Sequence, residues 1–187
     1  MLGPEHRDTL HHVVSVGHVL LGMGKHEQTR RLYDEHFPRA RRALGADHPV
    51  TLRLARDLTA DLVAPGAFDA ARQPGVEALA RSRRVLGEDH PVTRNTARHL
   101  ANALAGLGEH VAARELGEQV LAQSRRVIGL DHPDTPRLAA ALVVTLAALG
   151  EHARARELAQ DTRSRALRVL GPDDRYHGTL ATNLAGY

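Results

Sequence analysis

The chain has 187 residues, 42% of them hydrophobic but only 3% aromatic, so any core must be built mainly from alanine, leucine and valine, which suits closely packed helices better than sheets. It has no cysteine, which excludes disulfides, thiolate metal sites and cysteine nucleophiles and fits a reducing cytoplasm. With 25 basic and 22 acidic residues, the net charge of +3 is too small to argue for nucleic acid, and no apolar run reaches the roughly 20 residues that span a bilayer.

Taken in chain order, the first element opens on Leu2-Gly3-Pro4-Glu5-His6, runs through a helical segment holding His11, His12 and His18, and turns at Gly24-Lys25-His26. A second helical segment follows and ends in Arg41-Arg42. The opening phrase then returns as Leu44-Gly45-Ala46-Asp47-His48-Pro49, Leu86-Gly87-Glu88-Asp89-His90-Pro91 and Ile128-Gly129-Leu130-Asp131-His132-Pro133, with a decayed copy at Leu170-Gly171-Pro172-Asp173-Asp174. The starts at 2, 44, 86, 128 and 170 are each 42 residues apart, and the turn glycines Gly24, Gly66, Gly108 and Gly150 keep the same interval. A fixed period without slippage marks stacked structural units. The repeats are therefore 2–43, 44–85, 86–127 and 128–169, with a partial fifth at 170–187, in one array over 1–187.

The second repeat carries Pro65 beside its turn and Pro74-Gly75 inside its second helix, which predicts a kink or a late start there. In the fourth repeat, Leu138, Leu142, Val143, Leu146 and Leu149 mark one helix face, with Pro133 in the first turn, Asp131 as a candidate cap and Gly150 as the stop. Its second helix runs from about 152 to 169. Arg83-Arg84, Arg125-Arg126, Arg163, Arg165 and Arg168, like Arg41-Arg42, are read as complements to the negative ends of helix dipoles. The expected fold is all-α: nine helices in four antiparallel hairpins plus a final helix, stacked as an α-solenoid without a β-sheet.

These residues resemble the tetratricopeptide family in its 42-residue form, found in kinesin light chains and in many bacterial signalling proteins with an LGxDHPxT…NLA…G-x-Y/H-x-x-A pattern. The likeness covers essentially the whole chain and extends to arrays attached to actinobacterial signalling NTPases and regulators, although no GxxxxGK[ST] is present. The family's larger apolar position matches Val16, Leu58, Leu100, Leu142 and Leu184; its small neighbour matches Gly17, Thr59, Ala101, Val143 and Ala185. The small position of the second helix matches Thr29, Ala71, Ala113 and Ala155, while Asn-Leu-Ala is intact only at Asn183-Leu184-Ala185.

The resemblance implies a concave groove lined by first helices. Matching positions are His11, His18, Arg53, Arg56, Asn95, Arg98, His99, Asn102 and Arg137. Arginine forks hold carboxylates through paired bonds, so the expected partner is another protein or peptide of acidic character. The implied function is an interaction scaffold or sensor module of a larger bacterial signalling protein, the alternative being the effector-binding segment of a transcriptional regulator. No catalytic residues, cofactor or metal follow. His6, His48, His90 and His132 share one repeat position and so fall one unit apart instead of converging on an ion, and no serine has a triad context. Direct nucleic-acid or membrane binding finds no support, because the aromatics Tyr33, Phe37, Phe68, Tyr176 and Tyr187 are scattered. The uncharged stretch 178–187 and the opening at Leu2-Gly3 imply a fragment of a longer array, or ends that associate with another chain.

Overall fold

The computed structural model describes residue 3 and residues 5–170. It contains eight α-helices: α1 (Arg7–Gly22), α2 (His26–Leu44), α3 (Pro49–Val63), α4 (Phe68–Leu86), α5 (Pro91–Gly106), α6 (His110–Val127), α7 (Asp134–Ala148) and α8 (His152–Leu170). Among the described residues there is no strand. The expected ninth helix, and with it the partial fifth repeat, lies outside them.

Turn chemistry sets the helix bounds. The residues with positive φ are glycines at 24, 45, 66, 87, 108, 129 and 150, one every 21 residues. At the turn inside the first hairpin, Gly24 N–H donates to Leu21 O and Lys25 N–H to Leu20 O, the Schellman closure that a left-handed glycine allows. The same pair of bonds recurs at Gly66, Gly108 and Gly150.

The helix starts differ from expectation. Asp131 does not cap α7. His132 does, its Nδ1 accepting from the backbone N–H of Asp134 at 3.2 Å. His6, His48 and His90 accept in the same way from Asp8, Val50 and Val92. The repeated histidine is thus a helix cap, and it must be neutral at Nδ1 to accept.

The repeated aspartate instead ties the start of a hairpin to its far end, and a carboxylate on the second helix reaches the preceding second helix. Arg41 donates to Glu77 (3.2 Å), Arg81 to both Glu77 (3.0 Å) and Asp47 (3.0 Å), and Arg84 to Asp47 (2.6 Å). Moving 84 residues along the chain, Arg125 pairs with Asp161 (3.5 Å), Arg165 with Asp161 (2.9 Å) and Asp131 (3.6 Å), and Arg168 with Asp131 (3.3 Å). The Arg81 hydrogen bond leads the causes that hold the Asp47 carboxyl below its ordinary pKa. Each such surface pair contributes little alone, but the repeated ladder fixes how one second helix lies beside the next. The helix-end arginines therefore do more than complement dipoles.

The chain forms two compact bodies, Met1–Ala103 and Leu104–Tyr187. In the N-terminal body, Leu10 and Val14 of α1, Tyr33 and Ala40 of α2, and Leu54, Leu58 and Leu62 of α3 make one core. Tyr33 is fully buried, and it fits because α1 presents Gly17 to it: a Cβ at Gly17 would lie 2.0 Å from the tyrosine oxygen. The next repeat inverts this pair, Gly75 of α4 lying against Thr59 of α3. In the C-terminal body, Leu138, Leu142, Val143 and Leu146 of α7 are buried as their spacing requires, with Ala155, Ala159 and Ala166 of α8.

Helix α4 does not start late. It starts at Phe68, in register with α2, α6 and α8, and stays helical through Pro74. Helix α2 likewise contains Pro38. In both, the residue four positions back loses an N–H donor, at a cost of up to about 3 kcal/mol. Pro74→Leu should therefore raise the melting temperature by roughly 3–10 °C. A thermal melt followed by circular dichroism checks this; an unchanged or lower value would show that the helix has already absorbed the proline.

Candidate functional site

Helices α3 and α5 present the side chains expected in the groove. Arg53 and Arg56 project from α3 and Asn95, Arg98, His99 and Asn102 from α5, all half-buried. His11 and His18 are exposed on α1. His11 meets only His12 among ring contacts, edge-on at 6.4 Å. Arg137 is in the C-terminal body on α7, its Nη1 3.6 Å from Asp134.

The structure draws two of these residues into tight polar contacts around Asp57, a buried carboxylate. Arg56 Nε donates to Asp57 Oδ1 at 2.8 Å and its Nη2 approaches the same oxygen at 2.6 Å. Arg56 Nη2 also lies 2.9 Å from His18 Nε2, which is itself 3.2 Å from Asp57 Oδ2. Arginine has no acceptor, so His18 Nε2 accepts and its proton is on Nδ1. Asp57 Oδ2 is then left buried without a hydrogen bond. The tautomer with its proton on Nε2 would break this contact and donate to Asp57 Oδ2. Across the face, Arg98 Nη2 lies 3.1 Å from His99 Nε2, so His99 also accepts.

Burial, with neighbouring arginines adding to it, lowers two histidines here. Burial, then Arg98 and Arg56, pushes His99 well below the ordinary histidine pKa. Burial, then Arg53, Arg94 and Arg56, lowers His90. Arg94 is 8% exposed and donates to the Asp89 carbonyl at 3.0 Å. Among the described residues Arg53 makes no ion pair. Four guanidiniums thus bear on two neutral histidines, and one of the four, Arg56, is held by the Asp57 carboxylate.

Deeper in the same body, Asp61 of α3 is buried 3.9 Å from His26, and burial raises its pKa. Burial first, and Asp57 next, raise the pKa of the Tyr33 hydroxyl. The roles of Asp57 and Asp61 escape a sequence reading, since the matching positions of the next repeat hold His99 and Ala103, neither of them acidic.

The histidine shifts set a pH dependence. His48, His90 and His99 have lowered folded pKa values, so the unfolded chain binds more protons as pH falls below about 6.5. Their stabilisation is complete above that value and is lost as pH falls through the folded values. Asp61 acts with the opposite sign at lower pH, because its folded pKa is raised. Urea midpoints should decline between pH 6.5 and 5, and His48→Asn, which keeps a capping side chain, should shrink the decline. A flat profile over this window would contradict the assignment.

The comparisons with known proteins agree with this architecture. The tetratricopeptide repeat profile matches residues 6–80, 75–126 and 93–166. The fold superposes on the nearly identical TPR-like repeats of a Podosopora anserina protein described as a kinesin light chain, with a TM-score of 0.79 at 21% identity, covering 100% of this chain and 87% of that one. A singly substituted form of the same protein gives 0.80 at 20% identity, with the same coverage. BtubC (BKLC) from P. vanneervenii gives 0.73 at 16% identity, covering 87% of this chain and 66% of that one. No curated protein matches the chain by sequence. Matched by the profile over most of its length and folded as glycine-punctuated helix hairpins, the chain belongs to the tetratricopeptide repeat family, whose repeats mediate protein–protein interaction.

Proposed function

We propose that this chain is a protein-binding module whose N-terminal body takes a carboxylate-bearing peptide segment on the α3–α5 face. The observation that carries the reading is the gathering of Arg53 and Arg56 on α3 with Asn95, Arg98 and Asn102 on α5. Arg53 supplies an ion-pairing group not engaged by a carboxylate among the described residues. Asn95 and Asn102, half-buried on α5, supply amide donors and acceptors for a peptide backbone. Arg56 acts indirectly, since its guanidinium is already bonded to Asp57. His11 and His18 extend the proposed surface on α1. The wider setting is a cytoplasmic signalling protein in which residues 1–187 form one array; the absence of cysteine and the LGxDHP resemblance support that setting.

The test is fluorescence anisotropy with a labelled peptide ending in acidic residues, at low and physiological salt. Arg53→Glu/Arg98→Glu should weaken binding at least tenfold and leave helicity unchanged. Equal affinity for acidic and basic peptides would defeat the proposal.

A further inference from the structure

A cavity opens between α2 and α4 against α3, and none of the residues proposed for the α3–α5 face lines it. Phe37 of α2, Leu52 and Ala55 of α3, and Pro74 and Ala78 of α4 form its apolar walls. It encloses about 130 Å³. That is close to the roughly 150 Å³ of an apolar cavity that holds benzene. The Thr51 hydroxyl, also in the lining, donates to the Ala40 carbonyl at 3.4 Å. No lining side chain has a buried polar atom without a hydrogen bond, so nothing there anchors a water, which needs several polar partners.

The residues that shape this cavity are places where the repeats depart from one another. Pro74 stands where the other second helices carry Leu32, Leu116 and Leu158, all half-buried. Ala46, in the lining, stands where the other copies have Pro4, Glu88, Leu130 and Pro172, each bulkier. Phe37 supplies an aromatic wall where the next two repeats have Leu79 and Leu121. Proline inside a helix destabilises it, and a residue that breaks a local rule without structural gain marks a functional position. The corresponding space between α6 and α8 is about 390 Å³, with Glu118, Arg154 and Glu157 in its lining, too wide and too polar to close on one ring.

The charged residues of the lining are two guanidiniums and one carboxylate, Arg41, Arg81 and Glu77. Glu77 Oε1 accepts from Arg41 Nη2 at 3.2 Å and from Arg81 Nε at 3.0 Å, and Arg81 Nη1 is taken by Asp47 at 3.0 Å. Arg41 keeps more of its donors. Its guanidinium rests over the Phe37 ring, 5.7 Å from the centroid, and its Nε and Nη1 make no hydrogen bond among the described residues. Such an edge suits a carboxylate. We propose that this cavity binds a small aromatic carboxylate, with its ring between Phe37 and Pro74 and its carboxylate on the open edge of Arg41. The proposal does not rest on the reading of the α3–α5 face.

The probe is phenylacetate, with phenylacetamide as its neutral counterpart, each titrated onto the isotopically labelled whole chain. Saturable amide shifts are expected at Ala46, Ala55 and Ala78. Pro74→Leu, which restores the leucine of the other repeats and fills the cavity, should weaken phenylacetate about tenfold or more. Ala46→Leu, which copies Leu130, should do the same, and circular dichroism checks that both variants fold. Arg41→Gln should weaken phenylacetate roughly threefold or more and leave phenylacetamide unchanged. Absence of saturable shifts, or binding indifferent to both filling variants, would overturn the proposal. Phenylacetamide bound as tightly as phenylacetate would overturn it too. So would shifts confined to Asn95, Arg98 and their neighbours, since the anion would then sit on the α3–α5 face. Failure of the cavity leaves acidic-peptide binding at Arg53 and Arg98 untouched.

Discussion

Gly17→Ala is expected to destabilise the N-terminal body by about 3 kcal/mol, among the largest effects of any single methyl group in the chain. The added Cβ would stand 2.0 Å from the Tyr33 oxygen and 2.4 and 2.5 Å from its ring carbons. Real Cβ contacts do not occur at such distances, so something must move. The ring is fully buried and has no exposed path for a small adjustment; either it leaves the core or α1 moves away from α2. Denaturant titration of the variant gives the cost directly. The repeat also supplies the compensating change, because the next hairpin pairs Thr59 with Gly75 at these positions. Gly17→Thr alone should be worse than Gly17→Ala, whereas Gly17→Thr placed on Tyr33→Gly should cost little more than Tyr33→Gly alone. That cycle should show a favourable coupling of roughly 2 kcal/mol. Additive effects would mean that the two side chains do not share one space.

Arg56→Ala is expected to cost about 3 kcal/mol, because it strips the guanidinium from a carboxylate that cannot reach bulk water. The Asp57 side chain is 5% exposed, and its Oδ2 has no hydrogen bond even with Arg56 present. What Arg56→Ala leaves is His18, 3.2 Å from Oδ2. Arg56→Met combined with Asp57→Leu removes both charges and should bring stability close to that of the parent. Urea unfolding of the two variants separates these outcomes. A double variant as unstable as Arg56→Ala would show that packing, and not the buried charge, sets the cost.

Much of the fold was legible because its period is carried by residues with strict backbone duties. Glycines at 24, 66, 108 and 150 announced one set of turns and those at 45, 87 and 129 the other, and each adopts the positive φ that closes a helix. Leu138, Leu142, Val143 and Leu146 declared their face through spacing alone. The DHP phrase was harder to read. Aspartate is the stronger capping residue in general, yet the histidine caps and the aspartate reaches arginines 34 and 37 residues away. Nothing local distinguishes those roles, since the arginines that claim Asp47 come from the far end of the hairpin it opens. Arg56 escaped for a related reason. Adjacent helix residues do not normally face each other, so its bond to Asp57 is invisible to helical spacing, and the residue looked available for a ligand.

The central functional claim is that the α3–α5 face holds a carboxylate-bearing segment, and backbone amide chemical-shift mapping tests it most directly. An isotopically labelled chain titrated with an acidic-ended peptide should show saturable shifts at Arg53, Asn95, Arg98 and Asn102, with the side-chain signals of His99 moving as the anion approaches. Shifts confined to the arginine–carboxylate ladder of α2 and α4, or no saturable shifts at all, would contradict it.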